Sequence, residues 1–221
     1  MRQALNYAVD RKALIGNIMH NVGTPVASIC TPIMFGCDMS IQPYPFDPAK
    51  AKALLAQAGY ANGFDMTIAT SNGGYPADRD LTEAIASQLT QVGVRAKGVV
   101  VEYGLLLDQL ATRKLPYDAA FARITSFTSQ TSEMGRAFTT LGITATQEPD
   151  VPAFRKAIDS AEIATSENQA KEYLKQAQLV YIDEGMGISL FTSPNVYGVS
   201  RHLDFTPRAD YLLPMYDASW K

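Results

Sequence analysis

Residues 46–71, FDPAKAKALLAQAGYANGFDMTIATS, carry a helix with both ends written into the chain, followed at once by a strand that must finish in an irregular loop. Asp47 suits the N-cap, Pro48 the first helical position where a missing N–H costs nothing, and Gly59 the left-handed stop. Ala51, Leu54, Leu55 and Ala58 recur at i, i+3, i+4 and i+7, leaving Lys50, Lys52 and Gln57 on wet faces. Such a helix lies on a sheet. Residues 66–70, MTIAT, read as a strand, and the SNGGYP that follows at 71–76 excludes regular structure.

The same alternation continues. Residues 78–92 place Leu81, Ala84, Ile85, Leu89 and Val92 on one helical face, and Gly93 ends the run. A strand at 94–101, a helix at 103–113 with Leu106, Leu107 and Leu110 inward, and a third strand at 117–123 complete the series. Strand–helix–strand–helix–strand order predicts an α/β fold with parallel pairing and right-handed crossovers. The loops after the first and third strands then open at one edge, where open α/β sheets bind ligands.

That edge supplies the candidate ligand-binding residues: Asn72 and Tyr75 from the first loop, and Arg123, Thr125, Ser126, Phe127 and Thr128 from the second. The stretch 124–132, ITSFTSQTS, sets hydroxyls around one aromatic, a composition suited to hydrogen-bonding a small polar solute while stacking on it. An ordinary solvated Ser/Thr loop has the same composition, and an arginine at a strand end is commonly a surface charge.

The flanks are less regular. RQALNYAVDRKALIGNIM at 2–19 reads as one amphipathic helix with Leu5, Ala8 and Ile15 inward and Asp10, Arg11 and Lys12 outward. Its uncapped start implies a chain cut from something longer. His20 stands near the helix end, where a polar residue is favoured. Residues 23–45 form a long proline-containing connection of the kind that is functional or packed against another domain. Cys30 and Cys37 lie within it, and their spacing leaves a small disulfide-closed loop and two free thiols equally open. Further on, Phe154, Ala157, Ile158 and Ala161 form one stripe and Ala170, Tyr173, Leu174, Ala177 and Tyr181 another. With a capping box at 166–169, these predict an antiparallel helix pair. Short apolar runs in 187–221 need strand partners.

The totals exclude several classes. A net charge of −3 with 19 scattered basic residues gives no footprint for nucleic acid or an anionic membrane. No apolar run reaches the ~20 residues that span a bilayer, and the start lacks a secretory layout. Two cysteines and the distant His20 and His202 offer no metal-ligand spacing, so neither metal nor cofactor is expected. No nucleophile elbow, zinc-protease helix or phosphate loop occurs, and Gly73-Gly74 alone is weak evidence for the last.

Three segments together resemble the family 5 extracellular solute-binding proteins, the peptide, nickel and related receptors of bacterial ABC importers. They are RQALNYAVDRKALI at 2–15, YPFDPAKAKALLAQAGYANGF at 44–64, and SQLTQVGVRAKGVVVE at 87–102 followed by YDAAFARI at 117–124. The resemblance implies a periplasmic-binding-protein-like lobe of type II, peptide-binder class, with a partly parallel sheet flanked by helices. Residues 1–186 would be the second lobe of a two-lobed receptor, and 187–221 a return segment crossing back to a first lobe. Unpaired strands in that segment would then be open to self-association. Peptide-binding relatives commonly carry a tryptophan and then an aspartate in the loop at 124–127, the aspartate pairing with a peptide's amino group. Here the positions read Ile124-Thr125-Ser126-Phe127, which favours a neutral, anionic or differently held solute.

The implied function is noncatalytic capture of a peptide-like or other small organic solute, delivered to an ABC transporter permease. The parent would be periplasmic or extracellular, meeting the membrane through the transporter only. A hydrolytic domain and a lobe that only dimerises are the alternatives.

Overall fold

The computed structural model of the protein describes residues 1–32, 34–123, 151–193, 197–206, 216 and 218–221. The expected opening helix is two helices, α1 (Arg2–Tyr7) and α2 (Arg11–Asn17). Asp10 breaks the run: it is extended, and its carboxylate accepts the Ala13 N–H at 2.9 Å as an N-cap. The break turns Arg11 inward, against the sequence expectation that it faces water, and it is 5% exposed. Its Nε donates to Ser189 O at 2.6 Å, Nη1 to the carbonyls of Asn6, Val9 and Tyr44, and Nη2 to Asn6 Oδ1 at 2.9 Å. Burial lowers this guanidinium to about 10, against weaker opposing effects of Tyr181 and Tyr44.

The strand β1 (Thr24–Pro25) begins the long connection, and α3 (Pro48–Gln57) ends it. The Asp47 carboxylate caps Lys50 N–H at 2.9 Å, and Gly59 stops the helix region at φ +87°. Then come β2 (Phe64–Thr70), α4 (Asp78–Gln91), β3 (Val94–Val100), α5 (Tyr103–Ala111) and β4 (Ala119–Ala120). They form a parallel three-stranded sheet in the order β3-β2-β4, with Phe64 opposite Val94 through Thr70 opposite Val100, and Ile68 opposite Ala119. The parallel pairing agrees with the strand–helix alternation.

The main core joins α1, α2 and α3 to the sheet and α4, through Ala4, Leu14, Leu55, Ile68, Leu81, Leu89 and Val94. Leu106 and Leu110 of α5 close on Ala69 and Val101. A second core forms between α6 (Pro152–Glu162) and α7 (Glu167–Asp183), around Phe154, Ile158, Leu174 and Tyr181. Ser166 accepts the Gln169 N–H at 3.3 Å, while the Gln169 side chain reaches back to Thr165 N–H.

The return segment corrects a second expectation. β5 (Phe191–Thr192) is paired, antiparallel, with β1, and β6 (Leu203–Asp204) pairs with β7 (Ser219–Trp220). Phe191, from one of the apolar runs that look partnerless in sequence, finds its partner in the proline-containing connection, while residues 197–199 of the other run form no strand. Tyr216 and Trp220 remain largely exposed. Among the described residues no helix is long and apolar enough to cross a membrane.

Candidate functional site

Parallel pairing brings the exits of β2, β3 and β4 to one rim of the sheet. Val101 N–H donates to Thr70 O and Phe121 N–H to Ala69 O, both at 2.8 Å, so pairing persists past the strand ends. The loop 71–77 is shaped by the residue that follows it. The buried Asp78 carboxylate accepts from Ser71 Oγ at 2.6 Å and from the N–H groups of Gly73, Gly74, Tyr75 and Arg79 at 2.8 to 3.1 Å. Burial pushes this carboxyl up, but the bonds from Ser71, Gly73, Tyr75 and Arg79 outweigh it and hold it below the usual carboxylate range. Its position in the first turn of α4 adds a favourable dipole.

Tyr75 stands where the three exits meet. Its ring is edge-on to Tyr103 at 5.4 Å, and Phe121 lies 6.5 Å away. Burial, chiefly, with a hydrogen bond to Tyr103 and that neighbour's charge pushes the Tyr75 phenol up to about 12, opposed by the backbone N–H and the charge of Arg123. Tyr75 therefore ties the first loop to the start of α5 and to the chain leaving β4. Gly74 allows it: a Cβ there would lie 2.5 Å from both Ser71 Oγ and the Tyr103 ring. On α5, Glu102 accepts from Gly104 N–H and Leu105 N–H, which keeps its carboxyl low. Tyr103, Leu105 and Val100 are exposed beside it.

The structure thus brings Tyr75 and Arg123 together at the rim and leaves Asn72 exposed on the same loop. Thr125, Ser126, Phe127 and Thr128 lie outside the described residues. Sequence reasoning missed Tyr103, Phe121 and the organising part of Asp78. The signal for Tyr103 was available: in a parallel sheet the exit of β3, which comes between β2 and β4 in chain order, reaches the same rim as the other two.

A concavity of about 840 Å³ is lined by Asp10, Arg11, Val26, Asp38, Tyr44 and Phe46, none of them a rim residue. One wall carries Cys30, which is joined to Cys37 in a disulfide. Among the described residues no cluster of metal-ligating side chains occurs.

The fold is a periplasmic-binding-protein-like lobe of type II, peptide-binder class, with a partly parallel sheet flanked by helices. Across all of its length the chain superposes on HbpA2 from Haemophilus parasuis with a TM-score of 0.83 and 24% identity, covering 44% of that chain. Residues 1–146 match the model of the bacterial extracellular solute-binding proteins, family 5 Middle, and the chain belongs to that family. It is 30% identical over 211 residues to the glutathione-binding protein GsiB of Salmonella typhimurium, covering 92% of this chain and 41% of that protein. It is 39% identical over 109 residues to heme-binding protein A of Haemophilus influenzae, covering 47% of this chain and 19% of that protein. The chain spans less than half the length of each.

Proposed function

We propose that the chain is the noncatalytic solute-capturing lobe of an ABC-importer receptor, holding a peptide-like or other small organic solute at the Tyr75 rim. The observation that carries this reading is the convergence of three strand exits on one half-buried tyrosine, with Arg123 beside it. A solute there meets an aromatic edge, backbone groups and one cation, and needs no bond chemistry. Relatives named for binding glutathione and heme support the solute class.

In this reading residues 1–186 serve as the second lobe of the receptor, and 187–221 lead back toward a first lobe that closes over the solute by hinge motion. The exposed Tyr216 and Trp220 suit contact with that lobe better than self-association. Handover goes to a membrane permease, and the disulfide suits a periplasmic or extracellular location.

Thermal-shift measurement of this chain, alone and within a receptor-length protein, against reduced glutathione, dipeptides and heme is the test. A stabiliser whose effect is reduced in Tyr103→Ala supports the reading. Turnover of a generic ester that disappears on one rim substitution would replace it with the hydrolase alternative.

A further inference from the structure

The two ends of the disulfide have different surroundings. Cys30 is 3% exposed, with its Sγ 3.4 Å from Ser28 Oγ and 3.0 Å from Gln178 Oε1. Cys37 is partly exposed, and its Sγ lies 3.5 Å from the sulfur of the exposed Met39. The loop they close is docked on α7 by polar contacts and by Phe35, which packs on the second core, with Gly36 close against Leu174. Gln178 Nε2 donates to Gly36 O at 3.0 Å, Asp38 N–H donates to Gln178 Oε1 at 3.1 Å, and Lys175 pairs with Asp38 at 2.9 Å. Cys30, Asp38, Met39 and Ile41 also line the concavity beside Arg11. The bridge therefore sits between that wall and the helix behind it.

We propose that Cys37 is a thiol-exchange site for dithiols, and that reduction of the bridge loosens this wall from α7 while the sheet stays folded. A thiolate of the dithiol attacks Cys37 Sγ, the S–S bond breaks, and Cys30 leaves as a thiolate that takes up the proton the attacking thiol lost. The second thiol then attacks the mixed disulfide, releases Cys37 as a thiol and closes the reagent's own disulfide. The protein gains two electrons and two protons, and the dithiol loses both. Attack at Cys30 is blocked by its burial. The reduced Cys30 is provided for: its S–H meets Gln178 Oε1, a carbonyl oxygen with a second lone pair beside the one Asp38 N–H uses.

The test uses the 221-residue chain. Limiting glutathione followed by an alkylating quench and peptide mapping should place the adduct on Cys37 about tenfold more often than on Cys30. Full reduction with dithiothreitol should raise hydrogen exchange at 34–41 about tenfold or more and leave α4 unchanged. A Cys37→Ser variant should reproduce that exchange pattern without reductant; if it does not fold, a Cys30→Ala/Cys37→Ala pair takes its place. Adduct mainly on Cys30, a bridge that yields only in denaturant, or exchange that rises equally in α4 would each overturn the proposal.

Discussion

The Ser71 hydroxyl donates to the Asp78 carboxylate at 2.6 Å, joining the last turn of chain after β2 to the first turn of α4. That bond closes the loop from which Tyr75 projects. Five donors converge on the one carboxylate, none of them a cation, so the loop's shape depends on a charge held by dipoles.

Replacing Asp78 by Ala strips those donors of their acceptor inside a buried turn. The expected loss is about 2–3 kcal/mol of unfolding free energy, read from urea titration, because charge-assisted bonds of this kind count more than neutral ones. The dependence on acid follows from the depressed folded pKa. The stabilisation is fully present above the unfolded value of 3.8 and disappears as pH falls below it through the folded value. Asp78→Asn should therefore flatten the acid limb of stability. The exposed Asp65–Arg95 pair also keeps its carboxylate low, but salt screens it, so Asp65→Asn should alter that limb little at high ionic strength.

Tyr75 gives the alkaline counterpart. Its folded pKa is raised to about 12 from 10.0, so its contribution is whole below pH 10 and is lost as pH rises through 12. Tyr44, also raised to about 12 chiefly by burial, behaves in the same direction. Tyr75→Phe should cost about 1 kcal/mol at neutral pH and remove part of the alkaline limb, leaving the Tyr44 part. Ultraviolet titration of the phenols should show one fewer high-pH group; an unchanged curve would detach Tyr75 from its neighbours.

Arg11 is the residue the periodicity of the opening segment misplaced. Counting in steps of 3.6 carries one face straight through residues 2–19 and sets Arg11 in water. The Asp10 cap restarts the helix and turns the guanidinium into the carbonyls of Asn6, Val9, Tyr44 and Ser189. Arg11→Ala should lose on the order of 3 kcal/mol, and Arg11→Lys should recover only a small part, since an ammonium cannot span four carbonyls in a fork. Equal stability of the Lys variant and the parent would contradict this.

That misplacement shows what was legible. Local signals were enough for α3, with its Asp47 cap and Gly59 stop, and for the alternation that pairs β2 with β3 and β4 in parallel, because each depends on residues within one turn or one strand. Legibility ended where a partner lies far along the chain. Nothing near Phe191 announces Thr24 and Pro25 as its strand neighbours, and nothing near Gln178 announces Gly36. At the rim, Tyr75 was readable as a loop aromatic, but its dependence on Tyr103 and Arg123 needed the register of the sheet.

The proposed solute contacts lie at one end of the sheet, and Arg95 at the other. Tyr103 is 37% exposed beside Tyr75, whereas Arg95 lies at the entry of β3, bonded to Asp65 and to Asn62 O. Tyr103→Ala should weaken solute binding about tenfold, the scale of one lost aromatic contact, while Tyr103→Phe keeps the ring and most of the affinity. Phe127→Ala should weaken it as well, and Arg95→Ala should leave it unchanged. Calorimetric titration of a receptor-length protein with whichever probe stabilises it gives the comparison. Equal losses in the Arg95 and Tyr103 variants would move the site away from the rim, since the two ends of parallel strands do not touch the same small molecule.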